Sequence, residues 1–120
     1  MLSGTNLAVR LKTMRGRGGG IQNVSYVNLS GRVVSAVQLT LDYGPAPPTN
    51  GSATPEIHDV LVRDLDLEAE SGDLECRGLD DSPITGVVFK NVTVRGSGKQ
   101  VCELCSIKAD RDTKPQPRCK

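Results

Sequence analysis

Two basic side chains near the start of the chain could bind a carboxylate group. Arg10 and Lys12 alternate with the apolar residues Val9 and Leu11. On a β-strand this alternation puts both basic side chains on one face, about 7 Å apart. A guanidinium offers a two-pronged donor and an ammonium a point charge, a combination that suits a carboxylate. The plain alternative is an ordinary solvated strand face.

Four cysteines could form either disulfides or part of a metal site. They all lie in the second half of the chain, at Cys76, Cys102, Cys105 and Cys119. An even number is typical of two disulfides in an oxidising compartment, and three connectivities are open. Cys102 and Cys105 have half of a zinc-site spacing, but the other two cysteines form no second Cys-x-x-Cys. We therefore expect disulfides, with no metal and no cofactor.

The compartment is indicated by conflicting signals. Four Asn-x-Ser/Thr triplets favour secretion, and they begin at Asn23, Asn28, Asn50 and Asn91. Residues 1–6 have no apolar segment behind a basic start, so this chain carries no export signal as written. We expect a secreted, extracellular protein whose true N-terminus is missing from this chain.

Charge and hydropathy argue against nucleic-acid and membrane binding. Residues 1–32 carry five bases and no acid, 56–81 carry ten acids and two bases, and 90–120 carry eight bases and three acids. Such alternating blocks are unlike a uniformly basic nucleic-acid surface. The single Arg-Gly-rich stretch 15–20 fits a tight turn as well as an RNA-binding element. No apolar run approaches the roughly 18 residues of a membrane span.

A repeat organises the chain. Three segments, beginning at Ile21, Ile57 and Ile84, share the form Ile-x-Asn/Asp/Gly-Val-x-apolar-x-Asn/Asp-Leu/Val. Apolar residues alternate within each segment and resume after the second Asn or Asp, which predicts two short strands joined at a polar corner. The repeats predict a β-solenoid with loops of unequal length and almost no helix. With one Phe and no Trp, its core must consist of Val and Leu.

The domain boundaries follow from this repeat. We expect a partial solenoid over 1–105, with the Pro- and Gly-rich segment 44–55 projecting from it as a loop. Residues 106–120 lack periodicity and are predicted to form an irregular tail.

Several segments, in order along the chain, resemble the C-terminal part of glycoside hydrolase family 28, the polygalacturonases and their relatives. Arg10-Leu-Lys-Thr is similar to the family's Arg-Ile-Lys-Thr, and a Gly-rich turn and an Asn-Val strand follow it. Gly78-Leu-Asp-Asp-Ser-Pro-Ile84 resembles the family's Gly-Leu-Pro-Glu-Ser-Pro-Ile turn. The tail from Cys105 to Cys119 resembles the family's closing cysteine pair.

This resemblance implies a fold, a substrate and a set of binding residues. The fold is an all-β, right-handed parallel β-helix, here a partial one of about three to four coils. The substrate is α-1,4-linked galacturonan, an acidic pectic polysaccharide that is hydrolysed with inversion. The implied substrate-binding residues are Arg10, Lys12 and Tyr43. The implied disulfide Cys105–Cys119 would leave Cys76 for Cys102.

The family's catalytic residues are not matched in this chain. Inverting glycosidases need a carboxylic acid and a carboxylate base, which members supply from Asn-Thr-Asp, Asp-Asp and Gly-His-Gly motifs ahead of the Arg-Ile-Lys segment. Asp80 and Asp81 match the Asp-Asp pair by letter only, and His58, the only histidine, lies at a strand corner without flanking glycines. We therefore expect no catalytic residue and a fragment inactive alone, or alternatively a non-catalytic remnant that binds acidic polysaccharide. Missing coils would leave a solenoid edge through which chains could self-associate.

Overall fold

The computed structural model describes the backbone of residues 2–12, 20–41 and 55–120, with side chains from residue 7 onward in these ranges. Every regular element in them is a β-strand. The strands are β1 (Leu2–Lys12), β2 (Gly20–Thr40), β3 (Glu56–Arg77), β4 (Ile84–Gly96), β5 (Gln100–Glu103) and β6 (Cys105–Ala109). The described part of the chain contains no helix that is long and apolar enough to cross a membrane.

The strands stack as the successive coils of a parallel β-helix. The order is β1-β2-β3-β4-β6, β5 pairs with β3, and every pair is parallel. A straight strand of the length of β3 would extend about 70 Å, whereas the longest principal extent of the molecule is 42 Å. The long strands must therefore bend around the solenoid. β2, β3 and the β4–β5 pair each form a coil, which confirms the predicted all-β parallel β-helix.

The bends occur at the polar corners of the repeat. Two columns of residues with positive φ cross the coils: Asn23, Asp59 and Gly86 at 57°, 59° and 69°, and Asn28, Asp64 and Asn91 at 61°, 57° and 53°. Asn, Asp and Gly tolerate this left-handed conformation better than other residues. The Asn/Asp/Gly positions of the repeat are thus the positions at which the backbone turns.

The core is a stack of apolar, mostly aliphatic side chains from adjacent coils. The register places Val60 opposite Val87, Val62 opposite Phe89 and Leu65 opposite Val92, and all six side chains are buried. Ile21 lies opposite Ile57, so the repeats found in the sequence lie directly above one another. Each coil buries its inner face against its neighbours.

The C-terminal segment differs from the sequence prediction. Residues 105–109 form β6, which pairs with β4, so the irregular tail begins at residue 110 and not at 106. Ile107 provides the reason, because it lies opposite Val87 and extends that column of the core. The tail then packs back on the solenoid, where Lys114 N donates to Val92 O at 2.8 Å and Thr113 is buried.

The disulfides also differ from those that the family resemblance implied. The pairs are Cys76–Cys105 and Cys102–Cys119, instead of Cys105–Cys119 with Cys76–Cys102. The end of the tail runs beside β5, because Lys120 N donates to Cys102 O at 3.0 Å and Arg118 N to Gln100 Oε1 at 2.8 Å. This path brings Cys119 to Cys102.

The predicted projecting loop 44–55 lies outside the described residues except for Pro55. Pro55 is buried, and its carbonyl oxygen accepts a hydrogen bond from Ser82 Oγ at 2.8 Å.

Candidate substrate-binding site

Arg10 and Lys12 project from the outer face of β1. Both are exposed, whereas Val9, just before them, is fully buried and Leu11, between them, is half-buried. This is the arrangement expected from strand alternation. The third predicted binding residue, Tyr43, lies outside the described residues.

The parallel register extends this face over two more strands. Arg10 lies opposite Gln38, which lies opposite Glu75. In a second row, Lys12 lies opposite Thr40, which lies opposite Arg77. Because neighbouring strands are about 4.8 Å apart, each row places a polar group at every coil.

Glu75 is the centre of a hydrogen-bonded network on this face. Its Oε1 accepts from Gln38 Nε2 at 2.7 Å, and its Oε2 accepts from Arg77 Nε at 2.8 Å. Arg77 Nη1 is also 3.8 Å from Glu103 Oε2. The Arg77 hydrogen bond, together with the one from Gln38, lowers the pKa of Glu75 against the opposing effect of partial burial. Glu75 is therefore a fixed carboxylate in this network.

A groove of about 460 Å³ lies along the same face. Its polar wall includes Arg10, Gln38, Glu75 and Lys99, and Gly72 also lines it. The volume falls within the range of small-molecule sites, about 300–1,000 Å³. Two cations and one carboxylate line the groove, so it carries a net positive charge. Lys12 is not part of this lining, although it shares the face with Arg10.

The other residues considered for chemistry lie elsewhere. His58 Nδ1 is 2.9 Å from Asp59 Oδ2 at a corner of β3. Asp80 and Asp81 occupy the turn between Leu79 and Ser82. His58 and Asp81 line a separate open hollow. Neither aspartate lines the groove beside Arg10.

Sequence reasoning missed Gln38, Glu75 and Arg77 as neighbours of Arg10 and Lys12. The sequence did indicate that Gln38 faces outward, because it is a polar residue between the apolar residues Val37 and Leu39. Which polar positions meet across coils depends on the register, however, and loops of unequal length conceal it in the sequence.

One group of side chains has the composition of a metal site. The Sγ atoms of Cys76, Cys102 and Cys105 lie within 4.8 Å of one another. In this structure all three sulfurs are in disulfides.

Comparison with known proteins gives one match. The sequence model described as "Glycosyl hydrolases family 28" matches residues 1–113, which contain all six strands and the groove. No curated protein and no solved structure matches the chain.

Proposed function

Because the chain belongs to glycosyl hydrolases family 28, we propose that it forms the uronate-binding edge of a polygalacturonase-type enzyme acting on α-1,4-linked galacturonan. The observation that carries this proposal is the placement of Arg10 and Lys12 on one exposed face, beside a groove of net positive charge. A polymer with one carboxylate on each unesterified unit is the complementary ligand.

Arg10 and Lys12 have different roles in this proposal. The guanidinium of Arg10 forms paired hydrogen bonds with the carboxylate of a sugar that enters the groove. The ammonium of Lys12 attracts the same sugar or its neighbour as a point charge. Tyr43 is proposed to line the same subsite, by resemblance to the family.

We propose that the chain binds galacturonan and does not hydrolyse it alone. Inversion requires an acid and a base about 6.5–9.5 Å apart across the scissile bond. The sequence contains no Asn-Thr-Asp and no Gly-His-Gly. Asp80 and Asp81 lie in a turn that does not line the groove. This chain therefore supplies binding, and the acid and base must come from other residues.

We also propose that the chain is extracellular and that it self-associates. Two disulfides are typical of oxidising compartments. β1 lies at the end of the sheet order, so a second chain could pair with it. Sedimentation at increasing protein concentration tests this association.

The test of function compares binding and turnover in three proteins. Wild type, the Arg10→Ala/Lys12→Ala variant and a Lys90→Ala/Lys108→Ala control are run in gels containing polygalacturonic acid. Lys90 and Lys108 are exposed and outside the groove lining, so the control removes the same charge elsewhere. We expect the Arg10→Ala/Lys12→Ala variant to lose about tenfold or more in affinity, because charge-assisted hydrogen bonds are removed.

The same proteins are assayed for release of reducing ends. We expect no release of reducing ends above background from any of the three. If the two double variants bind equally well, the proposed site is wrong. Turnover by the wild-type chain would show that it contains an acid and a base that we have not identified.

A further inference from the structure

A further cation lies at the opposite end of the groove from Arg10. Lys99 is exposed and lines the groove. The row that begins at Arg10 passes through β2 and β3 and ends at Val101 on β5, and Lys99 directly precedes β5. Three strand spacings of about 4.8 Å separate the two ends of this row by about 14 Å. The groove therefore has a positive charge at each end.

The backbone at Lys99 is held by hydrogen bonds on both sides. Its carbonyl oxygen accepts from Asp73 N at 3.0 Å and from Leu74 N at 3.3 Å. Its own N donates to Ser97 Oγ at 3.1 Å, and Ser97 Oγ donates to Asp73 Oδ1 at 2.8 Å. Asp73 is buried, so this network ties the turn between β4 and β5 to β3. The point at which the Lys99 side chain leaves the backbone is thus fixed beside the groove.

The ammonium of Lys99 differs from the nearby guanidinium of Arg77 in its surroundings. Arg77 is paired with Glu75 at 2.8 Å and lies 3.8 Å from Glu103. Among the side chains that the structure describes, no carboxylate forms an ion pair with Lys99. Its flexible four-carbon stem lets the charge follow a ligand in the groove. Lys99 is therefore suited to an anionic ligand, whereas Arg77 is engaged by its own neighbours.

Glu75 lies in the groove between the two positive ends. Its carboxylate repels a ligand carboxylate, so a polyanion gains most from contacts at the ends of the groove. A ligand that reaches both ends must span about 14 Å, or three strand spacings. One sugar unit of a polysaccharide extends about as far as one strand spacing, about 4.8 Å. A segment of about four units is therefore the shortest galacturonan that reaches both ends.

We propose that Lys99 binds a second carboxylate of the galacturonan chain, so that the groove holds a segment of about four sugar units between Arg10 and Lys99. This inference rests on the proposed function, because it takes the same polymer in the same groove. Arg10 and Lys12 bind one end of the segment, and Lys99 binds the other. A dimer reaches one end only, whereas a longer oligomer forms the second contact within a complex that already exists, which raises its affinity.

The test measures the affinity of the full chain for galacturonan oligomers of two and six units by calorimetric titration. Wild type is compared with Lys99→Ala, Lys99→Arg and Lys90→Ala. We expect Lys99→Ala to bind the six-unit oligomer about fivefold more weakly, because one ion pair is lost, and to bind the two-unit oligomer as wild type does. Lys99→Arg keeps the charge and should retain the affinity for both. Lys90→Ala removes one exposed charge outside the groove lining and should change neither affinity.

Two results would overturn the inference. In the first, Lys99→Ala binds the six-unit oligomer as tightly as wild type. In the second, Lys99→Ala loses the same factor for both oligomers, which would mean that Lys99 acts through overall charge and not through a contact at the far end.

The Arg10→Ala/Lys12→Ala variant separates this inference from the proposed function. If that variant binds the two-unit oligomer as tightly as wild type, the proposed function is wrong and this inference fails with it. If it loses the two-unit oligomer while Lys99→Ala has no effect on either oligomer, the proposed function stands and only the role of Lys99 is wrong.

Discussion

At the scale of single residues, the direction of a side chain on its strand and its neighbours across the coils have different physical origins. Strand alternation was sufficient to place Arg10 and Lys12 on the outer face, where both are exposed. It could not show that Glu75 lies two coils from Arg10 in the same row. Alternation is a local property of one strand, whereas neighbours across coils depend on every loop length between them.

A substitution at a corner of the solenoid tests whether the left-handed backbone conformation there affects the stability of the protein. Asn23 has φ of 57° and an exposed side chain. We expect Asn23→Val to lower the free energy of unfolding by about 1–2 kcal/mol, because a β-branched residue is strained in the left-handed region. Asn23→Gly, which relieves that strain, should cost much less. Urea unfolding measures both, and equal losses would mean that the conformation at this corner does not matter.

The hydrogen bonds that the Asp110 carboxylate accepts predict how the stability of the protein depends on pH. Its carboxylate accepts hydrogen bonds from Asn91 N at 3.1 Å and, within the tail, from Thr113 Oγ1 at 2.9 Å. The Asn91 hydrogen bond lowers the pKa of Asp110 below its ordinary value against the opposing effect of desolvation, and the hydrogen bonds from Thr113 act in the same direction as the Asn91 bond. A group with a lowered folded pKa stabilises the protein above its unfolded pKa, and this contribution is lost as pH falls through the folded value.

The measurement is the urea midpoint between neutral pH and pH 3, about one unit below the ordinary aspartate value. We expect wild type to lose stability on acidification, with Glu75 contributing in the same direction. Asp110→Asn should be less stable at neutral pH and should show a smaller loss on acidification. An Asp110→Asn variant with the full acid sensitivity of wild type would exclude Asp110 as a source of it.

At the scale of elements, the repeat was predictable and the C-terminal end was not. The three segments that begin with Ile contain enough alternating apolar residues to predict β2, β3 and β4, although not their full lengths. β6 has five residues and one large aliphatic side chain, Ile107, which is too little periodicity to identify a strand. Pairing with β4, a contact made only in three dimensions, stabilises it.

The disulfide in the tail is expected to stabilise this end. Cys102–Cys119 closes a loop with a sequence separation of 17 residues. The chain-entropy model predicts that the double variant Cys102→Ser/Cys119→Ser loses about 3 kcal/mol. Urea unfolding of this variant beside wild type, both without reductant, measures the loss. An unchanged midpoint would mean that hydrogen bonds such as Lys114 N to Val92 O hold the tail without the disulfide.

At the scale of the whole molecule, the parallel β-helix creates the groove and also brings Cys76, Cys102 and Cys105 close together. Each arises because stacked coils bring together residues that are distant in sequence, as Arg10 and Glu75 are in the groove. The family resemblance correctly indicated the fold and the family. It indicated the wrong cysteine pairs, because the path of the tail, and not the spacing of the cysteines, determines which sulfurs meet.

We propose that the outer face of β1, which carries Arg10 and Lys12, recognises the free carboxylates of galacturonan. Calorimetric titration of the wild-type chain with galacturonan and with its fully methyl-esterified form, matched in length, tests this proposal. Esterification removes the negative charge and leaves the sugar backbone unchanged. We expect the ester to bind at least about tenfold more weakly, because it cannot form charge-assisted hydrogen bonds with Arg10. Equal affinity for the two polymers would mean that this face does not bind the carboxylates.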